Sequence, residues 1–177
     1  HVKAVQEYHY EIVGNYYSTL FQDAWTVADY MNQKKEILEG DSRKFSQAFF
    51  SSTLPGYVLE AVADNITILR SPTCFRTENG DFFGWEGVEN TVGCGAGTCT
   101  HVWNYAQTVA FLFPELEQSM RRIEFLQEIQ ADGYMPFRTY RPFGLPAWEM
   151  LPSADGQLGA VVRLYREWRL SGDNHLI

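Results

Sequence analysis

The apolar residues of positions 15–50 follow a helical pattern. They recur at intervals of three, four and seven, the spacing that places side chains on one face of an α-helix. This face would carry Trp25, Ala28, Met31, Ile37, Leu38, Phe45 and Phe49. The sequence Gly40-Asp41-Ser42 interrupts the stretch with residues that favour turns, so a break or kink is expected there. We therefore predict helix over residues 15–50 with one buried stripe.

Four more helices are predicted further along the chain. The first begins near Pro55, because proline is favoured in the first helical turn. The others begin at Thr98 or Thr100, at Pro114 and near Gln157. Their expected spans are 55–69, 98–113, 114 onward and 157–170. The expected core-facing residues are Val58, Leu59, Val62, Ile66 and Leu69, then Leu116, Met120, Ile123 and Leu126, then Leu158, Val161, Tyr165 and Trp168.

Between these helices the pattern changes to that of a β-hairpin with long loops. Two short β-prone runs, 73–77 and 81–85, flank Asn79-Gly80, a dipeptide favoured in two-residue hairpin turns. A glycine-rich loop follows at residues 93–97, and residues 141–152 form a long loop rich in proline. Long loops in a compact domain are often functional. The expected fold class is therefore mainly α, with one hairpin and two long loops.

Charge and hydropathy exclude several classes of protein. The 177 residues carry a net charge of −8 and their 14 Lys and Arg residues are scattered, which argues against nucleic-acid binding because phosphates require a basic face. No apolar run approaches the roughly 20 residues that span a bilayer, and no signal peptide is visible. Membrane association is therefore not expected, and a cytoplasmic location is favoured. The chain begins without Met and ends in a helical pattern, so we expect a fragment of a longer protein.

Two carboxylates follow the second predicted strand, in the run Phe83-Gly84-Trp85-Glu86-Gly87-Val88-Glu89. The glycines and the Trp beside them favour exposure at a cleft, where Glu86 or Glu89 would serve as nucleophile or acid in glycoside chemistry. Two solvated loop acids are the alternative that the residues alone leave open. Asp155 would cap the last helix or contact a ligand hydroxyl, and Arg138, Tyr140 and Arg141 are weaker candidates.

A third group lies at the start of the helix after the glycine-rich loop. His101, Trp103 and Asn104 combine polar and aromatic side chains of the kind that line a sugar pocket. A zinc module built on Cys94, Cys99 and His101 would need an unusual ligand spacing. We therefore predict no metal site and no cofactor.

Taken in order, these segments resemble glycoside hydrolase family 116, which contains bacterial β-glucosidases and β-xylosidases and the non-lysosomal bile acid glucosylceramidases. The most specific run is Gly97-Thr98-Cys99-Thr100-His101-Val102-Trp103-Asn104-Tyr105-Ala106-Gln107, followed by Leu112-Phe113-Pro114-Glu115-Leu116-Glu117. Further matching runs are Val13-Gly14-Asn15-Tyr16-Tyr17, Asp23-Ala24-Trp25, Ser52-Thr53-Leu54-Pro55, Arg70-Ser71-Pro72-Thr73-Cys74-Phe75, Phe83-Gly84-Trp85-Glu86-Gly87, Ala154-Asp155-Gly156-Gln157, Tyr165-Arg166-Glu167-Trp168 and Ser171-Gly172-Asp173. The resemblance covers nearly the whole chain.

The resemblance implies an (α/α)6 barrel, or toroid. Residues 1–177 would form the N-terminal part of its catalytic domain, with the hairpin and long loops at the active-site end. An upstream β-sandwich and the rest of the barrel would lie outside this chain, as the remainder of the same polypeptide. The activity would be that of a retaining exo-β-glycosidase, which forms a covalent glycosyl-enzyme on a Glu while a second carboxyl group protonates the leaving group. The substrate would be a β-glucoside or a related small glycoside or glycolipid.

The resemblance also implies roles for single residues. The family's nucleophile precedes a Gly after a Gly-aromatic stretch, which matches Glu86, whereas an ungapped count from the downstream Leu-aromatic-Pro motif selects Glu89. The implied substrate-binding residues are Trp85, His101, Trp103, Asn104 and Asp155, with Thr100 where the eukaryotic members have Asp. The family's acid/base Asp would lie beyond this chain, so we expect the isolated chain not to hydrolyse β-glucosides. The alternative is a non-catalytic carbohydrate-binding or helical scaffold domain.

Overall fold

Helices form most of the chain in the computed structural model, which describes residues 14–88, 93–95, 97–140 and 151–175. They are α1 (Tyr17–Leu20), α2 (Ala24–Gln33), α3 (Lys35–Phe50), α4 (Gly56–Ile66), α5 (Thr100–Trp103), α6 (Gln107–Leu112), α7 (Pro114–Arg122) and α8 (Ala154–Ser171). A 3-10 turn, Thr67–Arg70, extends α4, and a π-helical turn, Ile123–Glu128, extends α7. The predicted mainly α fold class is confirmed. Among the described helices, none has the length and apolar character required to cross a membrane.

The predicted hairpin is also confirmed. Strands β1 (Cys74–Arg76) and β2 (Phe82–Gly84) pair antiparallel. A second antiparallel pairing, of two residues on each side, joins β3 (Gly87–Val88) to β4 (Gly93–Cys94). Trp85 and Glu86 form the two-residue link between the two pairings, so their backbone is held from both sides.

Residues 15–50 differ from the prediction of one helix interrupted at Gly40. They form three helices, with breaks before Asp23 and at Lys34. Asp23 begins α2 through a capping box, because its side chain accepts a hydrogen bond from Thr26 N at 2.8 Å and Thr26 Oγ1 accepts one from Asp23 N at 3.1 Å. Gly40 lies inside α3 without a break. The expected interruption was wrong because one Gly costs a helix only about 1 kcal/mol, which its neighbours outweigh.

The buried stripe predicted for residues 15–50 was wrong as well. No residue of α1, α2 or α3 is buried by the described part of the chain. Trp25 is 79% exposed and Ile37 is 59% exposed. The spacing therefore indicated the helices correctly but could not indicate whether anything covers their apolar sides.

The core lies where the hairpin packs against α7 and the π-helical turn. Phe83 is 0% exposed and packs with Ile123, while Phe82 packs with Met120. The buried backbone NH of Phe82 donates a hydrogen bond to Ser119 Oγ at 2.9 Å. The hairpin is thus fixed to α7 by apolar and polar contacts together.

The apolar stripe predicted for the helix that begins at Pro114 is confirmed in its middle and wrong at its end. Met120 and Ile123 are 2% and 1% exposed, but Leu126 is 64% exposed. The i→i+5 hydrogen bonds of the π-helical turn, such as Ile129 N to Glu124 O, widen the helix and rotate the residues that follow. Leu126 therefore leaves the stripe that an uninterrupted α-helix would have continued.

Helix α8 presents a different face to the rest of the protein than its apolar pattern predicts. Leu158, Val161 and Tyr165 are all more than half exposed. The buried residues of α8 are Gly156, Ala160, Arg163 and Glu167. A Cβ atom at Gly159 would lie 2.0 Å from Asn104 Nδ2, so α5 approaches α8 closely enough to require glycine there. The prediction was wrong because small and charged residues form this contact.

Charged side chains fill the space between α7, its π-helical extension and α8. We define the buried ion cluster as Glu117, Arg121, Glu124, Arg163 and Arg166. Glu124 Oε1 accepts a hydrogen bond from Arg163 Nη2 at 2.9 Å, and its Oε2 lies 3.1 Å from Arg121 Nη2. Glu117 Oε1 accepts from Arg166 Nη2 at 2.7 Å and lies 3.6 Å from Arg121 Nη1. Each carboxylate therefore lies between two guanidinium groups.

The buried ion cluster also reaches the helices that follow the glycine-rich loop. Arg163 Nη2 lies 3.4 Å from the carbonyl oxygen of Thr100, to which it donates, and Arg166 donates to Gln107 Oε1. Burial lowers the pKa of Arg163 to about 10, while Glu124 acts in the opposite direction. Arg163 therefore stays charged at neutral pH, and α8 is tied to α5 and α6 through charged hydrogen bonds.

Candidate functional site

Glu86 is held in place by one ion pair and one glycine. Its carboxylate Oε1 pairs with Arg138 Nη2, and its side chain is 39% exposed. Gly95 lies directly against it, because a Cβ atom at that position would be 2.6 Å from Glu86 Oε2. The backbone of Gly95 has φ +63°, a conformation that glycine adopts without strain. The carboxylate therefore faces a guanidinium group, is partly accessible to solvent and is confined on two sides.

Backbone pairing positions Arg138 opposite Glu86. Cys99 and Arg138 form an isolated antiparallel bridge. On either side of it, Thr100 N donates to Phe137 O at 2.8 Å and Thr139 N donates to Thr98 O at 3.3 Å. The Arg138 side chain is 11% exposed. A segment far away in sequence thus delivers a mostly buried guanidinium group to the carboxylate.

A cleft of about 730 Å³ opens beside Glu86. Its walls come from α4, the 3-10 turn, α5 and α6, and they include Tyr57, Val62, Leu69, Val102, Tyr105 and Val109. Trp85 and Trp103 line it too. Glu86 is the one carboxylate among the described residues of the lining. The cleft therefore combines apolar and aromatic walls with a single acidic group, the composition expected of a small-molecule site.

Three of the predicted site residues meet at this cleft. Trp85 is 8% exposed and is fixed by a hydrogen bond from its backbone NH to Thr73 O at 2.7 Å. Trp103 meets Phe82 edge to face, with ring centroids 5.7 Å apart. Glu86 lies next to Trp85 in the chain. The competing candidate Glu89 lies outside the described residues.

The other predicted site residues form a separate group at the contact of α5 with α8. His101 Nδ1 lies 3.6 Å from Asp155 Oδ2, and Asn104 Nδ2 donates to the Asp155 carbonyl at 2.7 Å. Thr100 is 1% exposed, and its hydroxyl donates to Phe137 O at 3.1 Å. None of these four residues lines the cleft beside Glu86. The structure thus brings His101, Asn104 and Asp155 together, and separates them from the lining that Glu86 shares with the two tryptophans.

The cap predicted at Asp155 is instead provided by Ser153. Ser153 Oγ accepts from Gly156 N at 3.4 Å, and Asp155 occupies the first turn of α8. The Ser153 hydroxyl also donates to Asp155 Oδ1 and thereby lowers the pKa of Asp155 below its ordinary value, with a smaller contribution from His101. Ser and Asp are both good caps, so their order in the chain did not decide between them.

Replacing Ser153 with Ala is expected to raise the pKa of Asp155 towards its ordinary value, because the hydrogen bond to the ionised carboxylate is lost. Since the pKa of the folded state is the lower one, the small stabilisation from Asp155 is present above the pKa of the unfolded chain. It disappears as the pH falls through the pKa of the folded state. NMR titration of the Asp155 side chain measures the change, and an unchanged pKa would assign the depression to another group. Ser171→Ala, at the other end of α8, is the matched control.

Two thiols also line the cleft. Cys74 and Cys99 are both free and buried, and burial raises the pKa of each. The Cys99 thiol lies close enough to Arg138 and Glu86 for their charges to act on it in opposite directions. Among the described side chains, no three His, Cys, Asp or Glu residues are arranged to hold a metal ion. The side chain of Cys94 lies outside the part that the structure describes.

Sequence reasoning gave Arg138 and Gly95 too little weight. Arg138 stands 52 positions from its carboxylate partner, and only the tertiary pairing of residues 98–100 with 137–139 reveals the contact. At Gly95 the backbone passes close to another group, the side chain of Glu86. A run of three glycines over residues 93–97 is the one signal that the sequence offered.

No family model matches this chain, and no curated protein matches it significantly. The resemblance to glycoside hydrolase family 116 therefore stays a prediction that rests on the sequence runs quoted above.

Proposed function

We propose that this chain carries the nucleophile of a retaining β-glycosidase, and that the nucleophile is Glu86. The observation that carries the proposal is the position of Glu86: its carboxylate contacts the guanidinium group of Arg138 and lines a cleft that Trp85 and Trp103 line as well. A carboxylate must be ionised and must reach the anomeric carbon to act as a nucleophile. Trp85 and Trp103 line the same cleft, and aromatic rings suit the C–H-rich surface of a sugar.

The reaction has two steps. A Glu86 carboxylate oxygen attacks the anomeric carbon, and the bond to the leaving oxygen breaks with its electron pair going to the aglycone. Water later attacks the same carbon and gives a proton to the second carboxyl group, which the resemblance implies beyond this chain, while the bond to Glu86 breaks and its electron pair returns to the carboxylate. The described lining of the cleft holds no second carboxylate to serve as the general acid. We therefore expect this chain alone to show no turnover of alkyl β-glucosides, whose leaving groups need a proton.

The proposal includes the (α/α)6 toroid as the parent architecture, with the remainder of the polypeptide as the partner of this chain. The apolar sides of α2 and α3 support it. They expose Trp25, Tyr30, Met31, Ile37 and Phe45 to solvent. Apolar exposure on this scale is typical of a surface that another element covers, and successive helices cover one another in a toroid.

Labelling with 2,4-dinitrophenyl 2-deoxy-2-fluoro-β-D-glucoside tests the assignment. Dinitrophenolate departs without protonation, and the fluorine slows breakdown of the ester, so the glycosyl-enzyme should accumulate even without a general acid. We expect one fluoroglucosyl group per chain, located on Glu86 by mass spectrometry of the digested protein. Pre-incubation with a non-covalent glucoside should slow the labelling if it occurs in the cleft.

The other results of this experiment have distinct meanings. An adduct on Glu89 would move the nucleophile to the competing carboxylate. Saturable binding of the glucoside without any covalent adduct would favour the alternative, a non-catalytic carbohydrate-binding domain. If the chain neither binds the glucoside nor becomes labelled, the proposed function is contradicted.

A further inference from the structure

We propose that Arg138 is a positioning residue that stabilises the Glu86 carboxylate as it leaves the sugar in the second step of the reaction. This inference rests on the proposed function. It adds a residue, Arg138, whose charge acts mainly in the second of the two steps. Its basis is the ion pair between Arg138 Nη2 and Glu86 Oε1, together with the rigid placement of both partners.

Both partners are held by contacts that do not depend on the ion pair. The backbone around Arg138 is fixed by the hydrogen bonds from Thr100 N to Phe137 O and from Thr139 N to Thr98 O. Thr139 Oγ1 also accepts from Thr98 N at 2.9 Å. Glu86 follows β2 and precedes β3, and Gly95 lies against its side chain. The guanidinium group therefore stays in place when the charge on Glu86 changes.

The charge on Glu86 changes in opposite directions in the two steps. In the first step the carboxylate gives an electron pair to the anomeric carbon, loses its negative charge and weakens its attraction to Arg138. In the second step a nucleophile attacks that carbon, the bond between carbon and Glu86 oxygen breaks, and the electron pair returns to the carboxylate. A cation fixed beside the oxygen favours this return, because preorganised charge acts where charge develops. Arg138 therefore favours the second step, whereas the first step proceeds against its attraction to the carboxylate.

Azide can replace water as the nucleophile of the second step, and it needs no base because it is already an anion. The azide anion attacks the anomeric carbon with its own electron pair, glycosyl azide forms, and Glu86 leaves as the carboxylate with no proton transferred. The chain and its variants are labelled with the fluoroglucoside, freed of reagent and mixed with azide. The rate of labelling reports the first step, and the return of the unlabelled mass reports the second.

We expect Arg138→Gln to slow the return by about 100-fold while labelling changes less than about 10-fold. Arg138→Lys should restore at least about 10-fold of the lost rate, because it keeps a positive charge without the forked geometry of Arg. Arg43→Gln is the matched control: it removes the exposed partner of Glu39 on α3 and should change neither rate. Thermal unfolding of each variant reports a purely structural effect.

The results distinguish this inference from the proposed function. Equal slowing of both steps, or a Lys variant no better than Gln, would overturn the role of Arg138 while leaving Glu86 as the nucleophile. Absence of label on Glu86 in the unsubstituted chain is instead the failure of the proposed function. If Arg138→Gln does not fold, Arg138→Lys decides alone, with slower return and unchanged labelling expected.

Discussion

Replacing Glu86 with Gln is expected to abolish formation of the fluoroglucosyl-enzyme. The amide has nearly the same shape as the carboxylate but lacks the charge and the electron pair that attack the anomeric carbon. Removal of a nucleophile lowers rates by at least about 10⁴-fold. Intact-protein mass spectrometry after timed exposure to the dinitrophenyl fluoroglucoside measures this rate directly.

The same substitution should leave the chain folded but less stable. Arg138 is only 11% exposed and would lose its charged partner, so we expect the free energy of unfolding to fall by about 1–3 kcal/mol. Glu115→Gln provides the matched control, because the Glu115 side chain is 83% exposed and lies outside the cleft lining. It should label at the unsubstituted rate. Labelling of Glu86→Gln at that rate would show that the adduct forms elsewhere.

Replacing Glu124 with Gln is expected to destabilise the chain by about 3–5 kcal/mol. Glu124 is 1% exposed and lies between Arg163 and Arg121, which are themselves buried. The neutral amide would leave two guanidinium groups without their shared counter-charge. The contact with Arg121 is within ion-pair distance but is not aligned as a hydrogen bond, so charge rather than hydrogen bonding dominates it. Urea unfolding followed by circular dichroism gives the difference in free energy.

Glu39→Gln is the control for this prediction. Glu39 and Arg43 form an exposed pair one turn apart on α3, with side chains 50% and 71% exposed. Solvent screens such a pair, and its loss should cost about 0.5 kcal/mol or less. A Glu124 variant no less stable than the Glu39 variant would mean that the buried ion cluster contributes no stability through its charges.

Local signals in the sequence were sufficient where neighbours in the chain determine the structure. Asn79-Gly80 identified the hairpin, and Pro114 identified the start of α7, where it occupies the first turn. The helix at the end of the chain was found, although it begins at Ala154 rather than Gln157. Turns and helix caps depend on residues only a few positions apart, so they can be predicted from the sequence of one chain.

Predictions failed where the environment of a side chain decides. Leu158 and Tyr165 have the spacing of core residues, yet Arg163 and Glu167 occupy the interior. Burying charges is favourable only when partners are present, and those partners are supplied by α7 and its extension, about 40 positions earlier. The same limit applies to the candidate site. Glu86 and the two tryptophans were found as residues, but the ion pair that orients Glu86 was not.

The π-helical turn behaves, in evolutionary terms, like an inserted residue. Such turns occur as single interruptions of α-helices, and here the interruption, Ile123–Glu128, lies between α7 and the segment that carries Arg138. A relative that lacked one residue between 123 and 128 would continue the α-helix and extend its apolar stripe. The deletion would also shift the segment that carries Arg138 by one residue, so that a neighbour of Arg138 would lie opposite Cys99. The length of this turn is therefore expected to vary less among relatives than its sequence does.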